Sequence, residues 1–312
     1  MTGGVLVVDK PAGPTSFDVV SRVRRLLGAA KAGHAGTLDP MATGVLAVCV
    51  GDAVKLQQFL SEGDKAYQAT VAFGAATDTE DAEGKVVERG DPSRLEAAAV
   101  AAALPGFLGE IRQVPPMFSA VRLAGRRLHR AARAGETVER APRTIRIHSL
   151  ELLSFEPAVA GLALARLAVR CGKGTYVRTL AFDLGRALGV PAHLAALRRT
   201  ASGPFALSQA VTLAEAERLR REDPAALRAR LVPAAEALGF MPAVVLAPAQ
   251  ALDLSHGRAL PLEAPPGPGL CRALDDAGRL VAVCAAGEGW LRPVRVLATP
   301  AELSCQITPE NH

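Results

Sequence analysis

Gly33-His34-Ala35-Gly36-Thr37-Leu38-Asp39-Pro40-Met41-Ala42-Thr43-Gly44-Val45-Leu46 is the stretch that decides the reading of this chain. It sets a single carboxylate, Asp39, in a loop of small residues and a proline, and runs on into an apolar segment, 45–50. Leu-Asp-Pro alone is turn chemistry, and so is Thr-Gly. The length of the stretch, and its agreement with others further along, set it apart from a turn. A lone acid on a loop with a rigid apolar support is a common place for chemistry. Small neighbours also let a flat ligand approach the backbone.

Upstream, residues 5–8 read as a short buried strand, ended by Asp9-Lys10-Pro11 and a Gly-Pro turn. Thr15-Ser16 can cap a helix running through Val19, Val20, Val23 and Leu26-Leu27, with Gly28 as its stop. Downstream, 45–50 reads as a strand and 53–60 as a helix, and 67–73 alternates like a strand. An alanine-rich helix is expected over 92–104, strands over 143–155 and 162–171, and a helix over 175–188. Segments 193–199 and 213–231 also read as helical. Past Gly239-Phe240-Met241-Pro242 come short apolar segments at 244–246, 270–274, 280–285 and 293–297, with Asp275-Asp276-Ala277-Gly278 as a hairpin signal. The pattern predicts an α+β main body over 1–240 and a small β-rich domain over 241–312.

The chain has 312 residues, 49% of them hydrophobic, which is ample for a core. Net charge is +5, and the surplus is focused. From Pro115 to Arg146 there are eight arginines (Arg122, Arg126, Arg127, Arg130, Arg133, Arg140, Arg143, Arg146) against Glu136 and Glu139. From Met241 onward, five basic residues face seven acidic ones. A focused arginine stretch suits a polyanionic partner. The five cysteines lie far apart with no CxxC pair, which predicts buried reduced thiols and no metal site. Cys171-Gly172-Lys173-Gly174-Thr175 is no phosphate loop, because Leu167 stands where its first glycine is required. No cofactor motif is present. The start, Met1-Thr2-Gly3-Gly4, has no leader pattern, and no run of 18 apolar residues exists, so a cytoplasmic location is expected.

Asp9-Lys10-Pro11-x-Gly13-x-Thr15-Ser16, followed by the Gly33–Leu46 stretch, closely resembles the bacterial tRNA pseudouridine synthase B family. Lys65-Ala66-Tyr67, Pro115-Pro116-Met117-Phe118-Ser119-Ala120, Gly174-Thr175-Tyr176-Val177-Arg178-Thr179-Leu180 and Leu197-Arg198-Arg199 match the rest of its pattern, in order. The match covers roughly residues 4–215. Each piece is weak, but the ordered set is specific. The tail resembles the PUA module that often ends these proteins.

The resemblance implies a catalytic domain whose central mixed, mostly antiparallel sheet is flanked by helices, with a mobile RNA-clamping insertion at about 115–146. It implies isomerisation of uridine 55 in the tRNA T-arm to pseudouridine, with the target base flipped out and no cofactor. By the same resemblance, Asp39 is the nucleophile or sugar base, Arg178 pairs with it, and Tyr67 stacks on the target base. Lys10, His34 and Leu197 fall in the substrate pocket, with Lys10 either supporting the loop or touching RNA. Arg122, Arg126, Arg127, Arg130 and Arg133 fall in the clamping insertion. The partner implied is tRNA; no membrane and no obligate protein partner are expected, and the protein is expected to be a monomer.

Two departures stand out. Phe118 replaces the family's usual tyrosine, and His129 sits where an aromatic is usual. The competing readings are a non-catalytic tRNA-binding or tRNA-folding protein on the same scaffold, and a carbohydrate-active enzyme using Asp39. The second lacks a paired acid and leaves the arginine stretch unexplained.

Overall fold

The computed structural model describes residues 3–118, 122–123, 126–127, 138–261 and 267–307. Strand β1 (Gly4–Lys10) leads into helix α1 (Ser16–Leu27), then β2 (Ala32–His34) and β3 (Thr43–Val50). Strands β4 (Lys65–Phe73), β5 (Gly109–Gln113), β6 (Arg143–Val159) and β7 (Leu162–Cys171) follow, then helix α2 (Val177–Ala187), β8 (Ala192–Ser202) and β9 (Val211–Thr212). They form one large sheet in the order β9-β1-β3-β8-β4-β7-β6-β5, with β2 on β3. The β1–β9 and β3–β8 pairs are parallel; the other pairs along that order are antiparallel. The α+β class and the mixed, mostly antiparallel sheet are as expected.

Strands β1 and β3 read as continuous apolar runs because both of their faces are covered. One face carries Leu6, Val8, Leu46 and Val48 onto Val19, Val20 and Val23 of α1. The other carries Val5, Val7, Val45 and Ala47 onto Phe59, Leu60 and Phe205, and onto Leu280, Val283 and Leu297 of the C-terminal part. Helix α1 is closed at both ends as its sequence dictates. Thr15 and Asp18 form a capping box, and Gly28 ends the helix at φ 61°.

Three expectations change. Segment 193–199 lies within strand β8, at the centre of the sheet, hydrogen-bonded to β3 and β4. Its alanine and leucine content favours helix, but pairing on both edges overrides that weak preference. The alanine-rich helix is confined to Ala97–Ala103. The segment 213–231 breaks into helices Leu213–Glu222 and Pro224–Ala229, because Pro224 cannot continue the first and Asp223 caps the second.

The C-terminal strands form a separate five-stranded sheet spanning Ala243–Val245, Leu260–Pro261, Gly269–Leu274, Leu280–Gly287 and Trp290–Val296. Cys49, Cys171, Cys271 and Cys284 are buried free thiols. Among the described residues, no helix is long and apolar enough to cross a membrane.

Candidate active site

The loop between β2 and β3 is fixed from below by side chains that the sheet itself supplies. Lys10, at the end of β1 and fully buried, places Nζ on the carbonyls of Pro11 (2.9 Å), Pro40 (3.0 Å) and Ala42 (2.7 Å). Ser16 Oγ accepts from the Leu38 amide and donates to the Leu38 carbonyl, both at 2.8 Å. The buried Arg199, on β8, donates from Nε to Val45 O (2.8 Å), from Nη1 to Thr37 O and from Nη2 to Gly36 O (3.1 Å each). Two buried cations thus satisfy the carbonyls on either side of Asp39, and the loop has little freedom to move.

Above this support, Asp39 faces a pocket of about 190 Å³ lined by Tyr67, Phe118, Tyr176, Arg178 and Leu197 among others. Arg178, the second residue of α2, is almost wholly buried and meets Asp39 Oδ2 with Nε at 3.0 Å. Its Nη1 lies 3.5 Å from Asp81 Oδ2 and donates to Thr79 O at 3.1 Å, while Nη2 donates to Phe118 O at 2.9 Å. Asp81 is itself pinned, with Oδ1 accepting from Thr79 Oγ1 (2.5 Å) and the Glu83 amide (3.1 Å). A guanidinium held at every nitrogen presents its carboxylate partner in one orientation.

About a third of the Asp39 side chain remains open to the pocket. Burial raises its pKa, with the Asp81 charge adding to the rise; Arg178 and Lys10 oppose it without cancelling it. The half-buried Tyr67 has its hydroxyl pKa raised by burial, so it stays protonated at neutral pH. A larger groove of about 550 Å³ runs between α1 and Leu213–Glu222. There Asp18 is engaged by Thr15 and Arg22 by Glu217. Among the described residues, no three His, Cys, Asp or Glu side chains gather to hold a metal ion.

Residues 24–177 match the N-terminal domain model of the TruB family of pseudouridylate synthases. Residues 178–239 and 241–298 match the two C-terminal models of tRNA pseudouridine synthase B and II. The tRNA pseudouridine synthase B of Symbiobacterium thermophilum is 53% identical over 81% of this chain and 82% of its own length. That of Stutzerimonas stutzeri is 47% identical over 94% and 95%. The chain belongs to the TruB family. It is a tRNA pseudouridine synthase, an isomerase acting on RNA. Among solved structures, the fold is shared with a Cbf5-Nop10-Gar1 complex (28% identical, TM-score 0.73, covering 97% of this chain and 87% of that one). It is shared also with an H/ACA ribonucleoprotein bound to a substrate RNA containing 2′-deoxyuridine (26%, 0.72, 95% and 86%).

In this synthase the structure brings Asp39, Tyr67, Arg178 and Leu197 to one pocket. Lys10 lies beneath it, with its ammonium on three carbonyls, a position that fits loop support. Burial lowers its pKa to about 8. His34 is on β2 with Nδ1 buried and unpartnered, and burial together with the Arg199 charge lowers its pKa. Arg122 and Arg126-Arg127 form a two-stranded ladder. Arg130 and Arg133 lie outside the described residues.

Sequence reasoning missed Asp81, Arg199 and Ser16 as parts of the site. Ser16 reads as a helix cap and as the last residue of the Asp9–Ser16 motif, yet its structural part is to hold Leu38 while Thr15 does the capping. Arg199 carried a signal in Leu197-Arg198-Arg199, hidden by the helical reading of that segment. On a strand, alternate residues face opposite ways, so Arg198 and Arg199 separate. Arg198 pairs with Asp9 at 2.8 and 3.1 Å, while Arg199 turns inward.

Proposed function

We propose that this synthase isomerises uridine 55 of the tRNA T-arm, with Asp39 attacking C1′ or taking a sugar proton after the base has left the stack. The observation that carries this reading is the 3.0 Å contact between Asp39 Oδ2 and the buried Arg178 Nε at the mouth of a base-sized pocket. The glycosidic bond breaks, the base turns, and C5 bonds to the anomeric carbon; the C5 proton is lost and N1 regains one. Atoms and oxidation state balance without a cofactor.

A carboxylate is a competent nucleophile at a sugar carbon. Arg178 holds it in place and offsets its charge as RNA displaces water. Tyr67 stacks on the extruded base, and Leu197 closes the apolar side. Stacking and pocket contacts repay the few kcal/mol that flipping costs. The arginines of 115–146 grip phosphates, and Lys10 and His34 shape the floor. The chain divides near residue 240, and it acts as a monomer in the cytoplasm, where its tRNA is found.

The test is position mapping. An unmodified tRNA transcript treated with the protein should give one carbodiimide-dependent reverse-transcription stop, at uridine 55. A stop elsewhere, with position 55 untouched, would overturn the site assignment.

A further inference from the structure

Three non-glycine residues among those described have positive φ: Glu80 (64°), Ala160 (53°) and Glu288 (53°). Ala160 and Glu288 sit beside Gly161 and Gly289 in tight hairpin turns, where that geometry is routine. Glu80 sits instead in the long loop, residues 78–85, that joins the antiparallel pair Ala75–Thr77 and Val86–Arg89, with no glycine beside it. It lies between Thr79 and Asp81, the residues that receive Nη1 of Arg178. Its own carboxylate crosses back to α2, accepting from Thr179 Oγ1 at 2.6 Å. Three consecutive loop residues therefore clasp two consecutive helix residues, 178 and 179.

The left-handed backbone at Glu80 makes this clasp possible, since it holds Thr79 O and the Asp81 carboxylate on one guanidinium nitrogen. The loop is anchored behind by the Leu194 amide donating to Glu80 O (3.0 Å) and the Ala82 amide donating to Leu194 O (3.1 Å). Strained backbone persists where surroundings over-determine it, often at functional sites. Glycine would occupy this φ without strain, so the side chain here is doing something glycine would not.

We propose that Glu80 is a positioning residue. Through Thr179 it fixes the first turn of α2 and so aims Arg178 at Asp39. It touches neither the substrate nor Asp39. The charged groups around it are Arg178 and Asp183 of α2 and Arg140. Gln can keep the acceptor oxygen, so the account rests on the hydrogen bond rather than on the charge. The inference rests on the proposed role of Asp39, and its test is arranged to survive failure of that role.

The experiment compares Glu80→Gly, Glu80→Gln and Thr179→Val in two measurements. The first is single-turnover conversion of a T-arm minihelix, with its Kd measured separately. Glu80→Gly and Thr179→Val should each slow the step about tenfold with Kd unchanged, as expected for lost orientation. The double variant should be no slower than either, and Glu80→Gln should recover most of the rate. Glu80→Gly should melt no lower than the parent, which separates aiming from folding. The second measurement needs no RNA: titration of the Asp39 carboxyl by carbon-13 NMR, which reads the distance to Arg178. Its midpoint should rise in Glu80→Gly and Thr179→Val and stay near the parent's in Glu80→Gln. Unchanged rates and an unchanged Asp39 midpoint in both disrupting variants overturn the proposal. If the parent itself converts no RNA, the proposed activity falls, and the titration alone decides the clasp.

Discussion

Gly44 lies so close against Arg199 that a Cβ there would collide with the Arg199 carbonyl oxygen and sit 2.8 Å from its amide nitrogen. Its φ of 102° is one that L side chains rarely adopt. The close approach joins β3 to β8 in parallel, Arg199 opposite Gly44, immediately behind the Asp39 loop. Both strands must give way if position 44 gains a side chain. Gly44→Ala should lower the melting temperature by about 5–10 °C and disorder the loop that Arg199 holds. Calorimetry or circular dichroism melting checks the first, and loss of turnover the second. A melt within 2 °C or so of the parent would contradict the packing argument.

Lys10 makes the stability depend on pH in an unusual window. Its folded pKa is about 8, against an ordinary 10.5, because burial penalises the ammonium. Between those values the unfolded chain binds more protons than the native one, so stability contributed by this group rises with pH. Its cost is largest below pH 8. In Lys10→Met the slope of unfolding free energy over pH 8–10.5 should flatten by up to about 1.4 kcal/mol per pH unit. Turnover should fall as well, since the carbonyls of Pro40 and Ala42 lose their donor. Urea unfolding at several pH values reads the slope, and an unaltered slope would show that Lys10 keeps its proton to higher pH.

Tyr67 carries two separable properties, a ring and a hydroxyl. It sits in the pocket with Asp39 and Leu197, and its hydroxyl stays protonated at neutral pH. Tyr67→Phe keeps the stacking surface and should bind a T-arm within about threefold of the parent, while Tyr67→Ala should weaken binding about tenfold or more. Filter binding at fixed salt distinguishes them. Equal losses in both would place the contribution on the hydroxyl instead.

The Asp39 loop was legible because chemistry-bearing residues clustered within fourteen positions. Arg178 was legible only through the ordered motif set, since nothing local distinguishes it from a surface arginine. Its second carboxylate, Asp81, was not legible: it belongs to a loop that reaches the site through the bridge Asp81↔Leu194, a contact no periodicity encodes. The helical reading of 193–199 failed for the same reason. Local propensity describes a segment alone, whereas β8 is decided by the strands on both of its edges. The sign of the Asp39 pKa also escaped the sequence, because burial depth is a property of the whole fold.

That sign has a consequence for stability. The folded pKa of Asp39 is raised, so over the window between the ordinary carboxylate value and the raised one the native state binds more protons than the unfolded chain. The contribution to stability falls as pH rises through that window, and at neutral pH the ionised group is a cost. Asp39→Asn should therefore melt no lower than the parent at pH 7, while activity in the parent should fall as pH drops through a midpoint above the ordinary carboxylate range. A clearly lower melt would mean that pairing with Arg178 outweighs burial.

The most direct measurement is tritium release from a T-arm minihelix labelled at uridine C5, comparing the parent with Asp39→Asn under single-turnover conditions. The account predicts stoichiometric release by the parent, and no release above background by Asp39→Asn although it still binds the RNA. Measurable release by Asp39→Asn would contradict the claim that this carboxylate performs the chemistry.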